Sequence, residues 1–408
     1  MKFLIIVQDL RISGTSEGIV SRSFIGKLRE CFQEAIIDVH YLKNNSVDQQ
    51  TAILPVNSIN EYLINREIPF ILKWINKIYW RLFHVSLKEK HIQKKYKNII
   101  KNIVFESYDV VFIRSSGLEY ESILACKDLP IIKSAIINFH DPYPIFYDTS
   151  SNIKLTKLEL FNYYTMLQTV QQARACITPS QLLSKDLRFL YGSAKKFHTL
   201  PHQYCSNVFN LSDVSKVRIK QKNISISYHG GMQFGRNLDI LLDAFAELIE
   251  EDNYIKENVE LVFRIKSAES NRLIEKYKTI DNIFILDSLS FSNSANEQMY
   301  ETDIVILLES YLNYSNILLG KAPFVASLKK PVLALLPVIC ELRNIIKNDK
   351  YIARSNDGND IKNKLRELIH NFEKEKIIDV FGDYFSNEKF KEMLDELIFY
   401  NRQTDSNI

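Results

Sequence analysis

The stretch Ser225–Phe245, SISYHGGMQFGRNLDILLDAF, combines residue types that suit an anion. A β-branched and aromatic run ends in Gly230 and Gly231. Glycine at a strand end lets the backbone approach a ligand closely and adopt positive φ. The apolar spacing of Leu238, Leu241, Leu242, Phe245 and Leu248 predicts a helix over 238–250,. The free N–H groups of its first turn would favour a negative charge. Between strand and helix, Arg236 supplies a permanent cation whose fork matches phosphate. The same spacing also suits a tight strand–helix turn with a solvent-facing arginine.

A second stretch, INFHDPYPIF (137–146), brings His140 and Asp141 to the carboxyl end of a strand expected over 130–140. Asp141 precedes Pro142, which forces an extended exit. A histidine there can orient a polar substrate. A carboxylate within about 3 Å of a hydroxyl can take its proton. A satisfied core histidine is the plainer reading. Glu309 closes the run DIVILLE, where strand ends meet ligands and a carboxylate can accept from a hydroxyl,.

These residues need a scaffold to bring them to strand ends. The chain has 408 residues, enough for two domains of ordinary size,. Its 46% hydrophobic and 25% charged residues fit a soluble globular protein,. A net charge of +3 does not call for nucleic acid,. Five scattered cysteines, without a C-x-x-C, fit neither a zinc site nor a disulfide framework and point to a reducing compartment,. The opening MKFLIIVQDL reads as a buried strand rather than a signal peptide,. Apolar runs at 3–7, 37–42, 108–114, 130–140 and 175–180, the last ending in a turn, alternate with helical patterns at 19–32 and 181–191. A polar segment, 206–222, reads as a linker. The pattern then restarts with strands at 224–228, 259–265, 282–287, 303–309 and 331–336, and a last amphipathic segment at 387–400. Such alternation predicts α/β architecture: two Rossmann-like domains with parallel sheets, facing across a cleft. The expected boundaries are 1–203, 204–385 and a C-terminal helical segment 386–408 that crosses back to the first domain.

On these residues the chain resembles the GT-B fold glycosyltransferases of the retaining family-4 kind. Their donor-binding domain opens with F-V-G-R-L-x-x-x-K-G-x-D-x-L-L-x-A-F. Laid on this chain without gaps, the pattern's glycine falls on Gly230, its lysine on Arg236 and its A-F on Ala244–Phe245. Its arginine falls on Gly231, a departure. ITPSQLLSKDLRFLYG (177–192) is similar to the strand–turn–helix near the end of the family's first domain. The loop SGTSEG (13–18), with Gly14 and Thr15, resembles the glycine-bearing loop that faces donor phosphate. The family's E-x7-E segment falls on Asn316 and Phe324, neither a carboxylate. YSNILLGKAPF (314–324) resembles a family variant in which Lys321 matches a lysine. The resemblance implies that Lys321 replaces the cation missing at Gly231, with Ser315 and Asn316 receiving phosphate or ribose. It also implies that His140 lies near the donor sugar, and that the leaving diphosphate helps take the acceptor proton.

The expected activity is transfer of a sugar, with retention, from a nucleotide-sugar donor to a hydroxyl of a glycan or lipid-linked acceptor, in polysaccharide or glycoconjugate synthesis. The nucleotide sugar is a co-substrate; no cofactor and no metal are expected. A non-catalytic sugar-binding or partner subunit is the alternative, since both glutamates are missing; a nucleotide-sugar epimerase is a third reading. Segment 61–101 interleaves Trp74, Tyr79, Trp80 and Phe83 with Lys73, Lys77 and Arg81, and continues into further lysines. It reads either as a membrane-surface element or as ordinary helices with a solvated lysine face. The expected location is cytoplasmic, peripheral on the inner membrane face.

Overall fold

A computed structural model of the chain describes residues 1–405 apart from 14–15, 45–49, 118, 146–153, 233–234, 267 and 375–376. The chain forms two compact units: Met1–Val208 with the chain from Ser386 onward, and Phe209–Phe385.

In the first unit, strands β1 (Lys2–Val7), β2 (Ile36–Lys43), β3 (Ser58–Leu63), β4 (Val110–Arg114), β5 (Ala135–Asn138), β6 (Ala175–Thr178) and β7 (Phe197–Thr199) form one sheet in the order β3-β2-β1-β4-β5-β6-β7. Every neighbouring pair is parallel. Parallel neighbours need crossovers, which contain α1 (Ser16–Cys31), α2 (Phe70–Phe83), α3 (Leu87–Ile100), α4 (Glu121–Leu124), α5 (Lys157–Gln172) and α6 (Gln181–Tyr191). The β1 residues Phe3–Val7 are fully buried, as a strand covered on both faces must be,. The chain winds outward from β1 to β3 and then returns to the other side of β1 for β4. Strand order therefore reverses between β1 and β4.

The second unit repeats the scheme. Strands β8 (Ile224–Gly231), β9 (Val259–Lys266), β10 (Ile283–Asp287), β11 (Ile304–Leu308), β12 (Tyr314–Ser315), β13 (Val332–Leu336), β14 (Ile339–Cys340) and β15 (Ile352–Arg354) give a six-stranded sheet, β10-β9-β8-β11-β13-β15, and a separate β12-β14 pair. Its helices are α7 (Asp239–Glu251), α8 (Asn253–Asn258), α9 (Ser270–Tyr277), α10 (Phe291–Asn296), α11 (Ala322–Ser327), α12 (Glu341–Ile345) and α13 (Gly358–His370). Here strand order reverses between β8 and β11. The last helix, α14 (Asn387–Asp405), belongs to the first unit, where the Phe390 ring meets Phe24 of α1 at 6.0 Å.

The structure corrects the sequence reading in several places. The strand expected over 130–140 begins as a 3-10 turn, Pro130–Ser134, and is extended only over Ala135–Asn138. Proline lacks the N–H that a central strand donates. Residues 16–18 of the expected glycine loop form the first turn of α1. Gly18 is needed there because a Cβ would lie 2.1 Å from the Arg11 carbonyl oxygen. Gly14 and Thr15 lie outside the described residues. The polar segment 206–222 is docked rather than free: Arg218 pairs with the buried Glu260 at 2.8 Å, and the Lys216 amide donates to Asn293 Oδ1. All five cysteines are free thiols. No described helix is long and apolar enough to cross a membrane.

Candidate functional site

In open parallel sheets, ligands collect beyond the carboxyl ends of the strands, where strand order reverses. In the second unit that point is flanked by the ends of β8 and β11, and the chain places a cluster of charge there. β8 ends in Tyr228, His229, Gly230 and Gly231. The Lys321 ammonium, carried at the start of α11, donates to the His229 carbonyl oxygen at 2.9 Å and lies 4.0 Å from the centre of the Tyr228 ring. Arg236 donates to the Gly231 carbonyl oxygen at 3.0 Å. The two cations thus bond the backbone on either side of Gly230. Neither has a carboxylate partner among the described residues. Burial, and then Arg236, push the Lys321 pKa well below its ordinary value.

Gly230 serves by its size. A Cβ there would meet Tyr228 Oη at 2.9 Å and Lys321 Nζ at 3.2 Å. The positive φ expected of it falls instead on Gly235, at +71°, where a Cβ would also crowd Ser310 Oγ. The Gly235 carbonyl accepts from the Tyr311 amide at 2.9 Å, tying the loop after β8 to the loop after β11. α7 starts at Asp239 rather than Leu238, and its first turn already carries a negative charge. Asp239 is paired with Arg272 at 2.6 Å and Lys276 at 3.0 Å, which hold its pKa down at about 2. This helix N-terminus is therefore a weaker anion site than the sequence suggested.

Glu309 follows β11 and is 1% exposed, yet neither carboxylate oxygen has a hydrogen bond in the folded chain. Burial raises its pKa to about 7, against the opposing pull of the Ser315 hydroxyl and of Arg236. Ser315 ends the short strand β12, in register with Cys340, and the next residue, Asn316, is buried. Phe324, at the position of the family's second glutamate, is a core residue of α11 with its ring 6.5 Å from Phe291. The structure thus gathers Gly230, Gly231, Arg236, Lys321 and Glu309 around one set of strand ends.

Sequence reasoning missed the support beneath this cluster. His229 Nδ1 lies 2.9 Å from Ser294 Oγ, and burial, Lys321 and Arg264 depress the ring's pKa to about 3. Behind it Arg264 makes two bonds to Glu297, at 2.8 and 2.7 Å. The only sequence signal was the aromatic pair Tyr228–His229 directly before the glycines.

In the first unit the reversal point is flanked by Gln8 and Asp9 after β1 and by Arg114 and Ser115 at the end of β4. Asp9 is committed to Arg11, whose NH2 lies 2.6 Å away. His140 and Asp141 follow the next strand, β5. His140 is buried, its Nε2 has no hydrogen bond, and its ring stacks 5.8 Å from His202. Burial, Arg114 and His202 push its pKa well below the usual value, so the ring is neutral at physiological pH. The Asp141 backbone is clamped by Tyr120, whose hydroxyl donates to the Asp141 carbonyl at 2.5 Å. Burial, and then Glu17, raise the Asp141 carboxyl to about 7. Arg114, which the sequence reading did not single out, is buried and donates to Ser21 Oγ and Asn138 Oδ1.

The sequence matches no family model and no curated protein. Its structure is similar to solved ones. Sucrose-phosphate synthase from Thermosynechococcus elongatus superposes with a TM-score of 0.66 at 12% identity, over 100% of both chains. Anabaena HepE in complex with UDP and glucose gives 0.60 at 13% identity, over 98% of this chain and 100% of that one. UDP-GlcNAc 2-epimerase from Neisseria meningitidis, bound to UDP-GlcNAc, gives 0.55 at 12% identity, again over 98% and 100%. Identities this low establish the fold alone, which is that of the GT-B glycosyltransferases.

Proposed function

We propose that the protein is a metal-independent glycosyltransferase that moves a sugar, with retention, from a nucleotide-sugar donor to a hydroxyl of a glycan or lipid-linked acceptor. One observation carries the reading. Two neighbouring cations, Arg236 and Lys321, donate to backbone carbonyls beside a glycine at the reversal point of a parallel sheet, and neither forms an ion pair with a carboxylate among the described residues. Burying positive charge without a counter-charge is costly. A diphosphate at this place would relieve that cost. It would also be stabilised most as it departs and gains charge.

The remaining residues take roles that follow from their states. Glu309, buried with both oxygens unpaired, accepts from the ribose hydroxyls of the donor, a task the family gives to the glutamate replaced here by Phe324. Ser315, at the end of β12, and the adjacent Asn316 follow it in the chain. On the first unit, neutral His140 offers Nε2 to a sugar hydroxyl. Asp141, half ionised near pH 7, accepts the acceptor's proton together with the leaving diphosphate. Gly14 and Thr15 are assigned to the donor side on the resemblance alone. A lipid-linked acceptor would be met at a membrane surface on the cytoplasmic side.

The Neisseria structure favours one second reading, epimerisation of the nucleotide sugar itself. Incubating the purified protein with a nucleotide-sugar panel, with and without chelator, separates the outcomes. Transfer or slow hydrolysis releases nucleoside diphosphate, whereas epimerisation returns an isomeric nucleotide sugar. Loss of diphosphate release in Arg236→Ala, Lys321→Ala and His140→Ala, unaffected by chelator, is the expected result. Absence of turnover with every donor and with lipid acceptors would leave a non-catalytic subunit.

A further inference from the structure

Helix α2, FILKWINKIYWRLF, is built inside out. Its only buried residue is Asn76, whose Oδ1 accepts from the Leu87 amide at 2.7 Å at the start of α3. Phe70 is 80% exposed, Ile71 70%, Trp74 60% and Leu82 66%; Ile75 and Ile78 are also exposed. At about 100° per residue, these six side chains fall in one arc of roughly 140°. Lys73 and Lys77 lie beside the Phe70 edge of that arc, Arg81 falls just inside the same edge, and the helix contains no acidic residue,. An apolar arc of this size on the surface marks something that is covered in use.

We infer that α2 is a membrane-docking helix that lies in the headgroup region of an anionic bilayer, its apolar arc facing the acyl chains. Charge complementarity selects this occupant. A second copy of the chain would bring the same cations against one another, whereas an anionic lipid surface attracts them. The neighbouring surface continues the pattern. Just past the end of α2 lies a groove of about 370 Å³ with Lys90, Lys94, Lys97 and Lys127 among its lining residues, against two acids, Glu89 and Asp128. The inference stands on the helix itself and does not depend on the transferase reading.

The chain carries its own probe, because Trp74 and Trp80 are its only tryptophans and both lie on α2. The test adds vesicles of phosphatidylglycerol and phosphatidylcholine, or of phosphatidylcholine alone, to the full-length protein. Anionic vesicles should shift tryptophan emission to the blue and co-sediment the protein, with binding falling as salt rises. Ile78→Glu and Lys73→Glu/Lys77→Glu should each weaken binding by about tenfold or more. These positions are exposed, so the fold should survive; turnover of a soluble donor should be unchanged, which separates failure here from failure of the catalytic reading. Unshifted emission with anionic vesicles, equal binding by Ile78→Glu, or a dimer that Ile78→Glu dissociates would overturn the proposal.

Discussion

Glu309 and Asp141 are carboxyls that the folded chain holds partly protonated near neutrality, each pushed to about 7 mainly by burial. A carboxyl whose folded pKa is raised contributes stability that is complete below its unfolded value and lost as pH rises through the folded one. For Glu309 that window runs from about 4.5 to about 7. Glu309→Gln should therefore stabilise the protein at pH 8 by about 1–3 kcal/mol, with no gain near pH 4; denaturant melts at the two pH values measure it. The same variant should bind donor more weakly, because a buried acceptor has become in part a donor. Asp141 makes a kinetic prediction. With an ionised carboxylate as base, kcat/KM should rise with pH through about 7 and then level, and Asp141→Asn should remove that limb while Glu309→Gln keeps it. Arg236, His140 and Asp141 were legible from residue type and position at strand ends. The seat of Lys321 on the His229 carbonyl was not, since 92 residues separate the partners and only the folded sheet brings them together.

At the scale of elements, Glu297 joins three pieces of the second unit. It pairs with Arg264 of β9, its Oε2 accepts from the Arg218 amide at 2.8 Å, and it belongs to the helical turn before β11. Removing one partner of a buried pair leaves the other charge uncompensated. Glu297→Ala should cost about 3–5 kcal/mol in chemical denaturation, and it should loosen His229 beneath the Lys321 seat. Central strands such as β1 and β11 announced themselves as continuous apolar runs. β3 did not: it is a sheet-edge strand whose side chains are mostly exposed, so SINEYL carries no burial signal. The first half of the expected 130–140 strand was misread for the opposite reason. Its isoleucines are buried, but in a 3-10 turn opened by Pro130.

Taken whole, the molecule is two parallel-sheet units with reversal points of the same kind, and the second gathers Arg236, Lys321 and Glu309 at its own. α/β alternation along the chain made this architecture readable. The exposure of α2 was not readable, because an apolar helical pattern is the same in sequence whether a core or a membrane covers it. The central claim is that Arg236 and Lys321 hold a diphosphate, and calorimetric titration of nucleoside diphosphates into wild type and Arg236→Ala/Lys321→Ala tests it most directly. The account predicts that at least one nucleoside diphosphate binds the wild type, and that the double variant loses about a hundredfold or more in affinity. Equal affinity in the two proteins, or no binding by any nucleoside diphosphate, would contradict it.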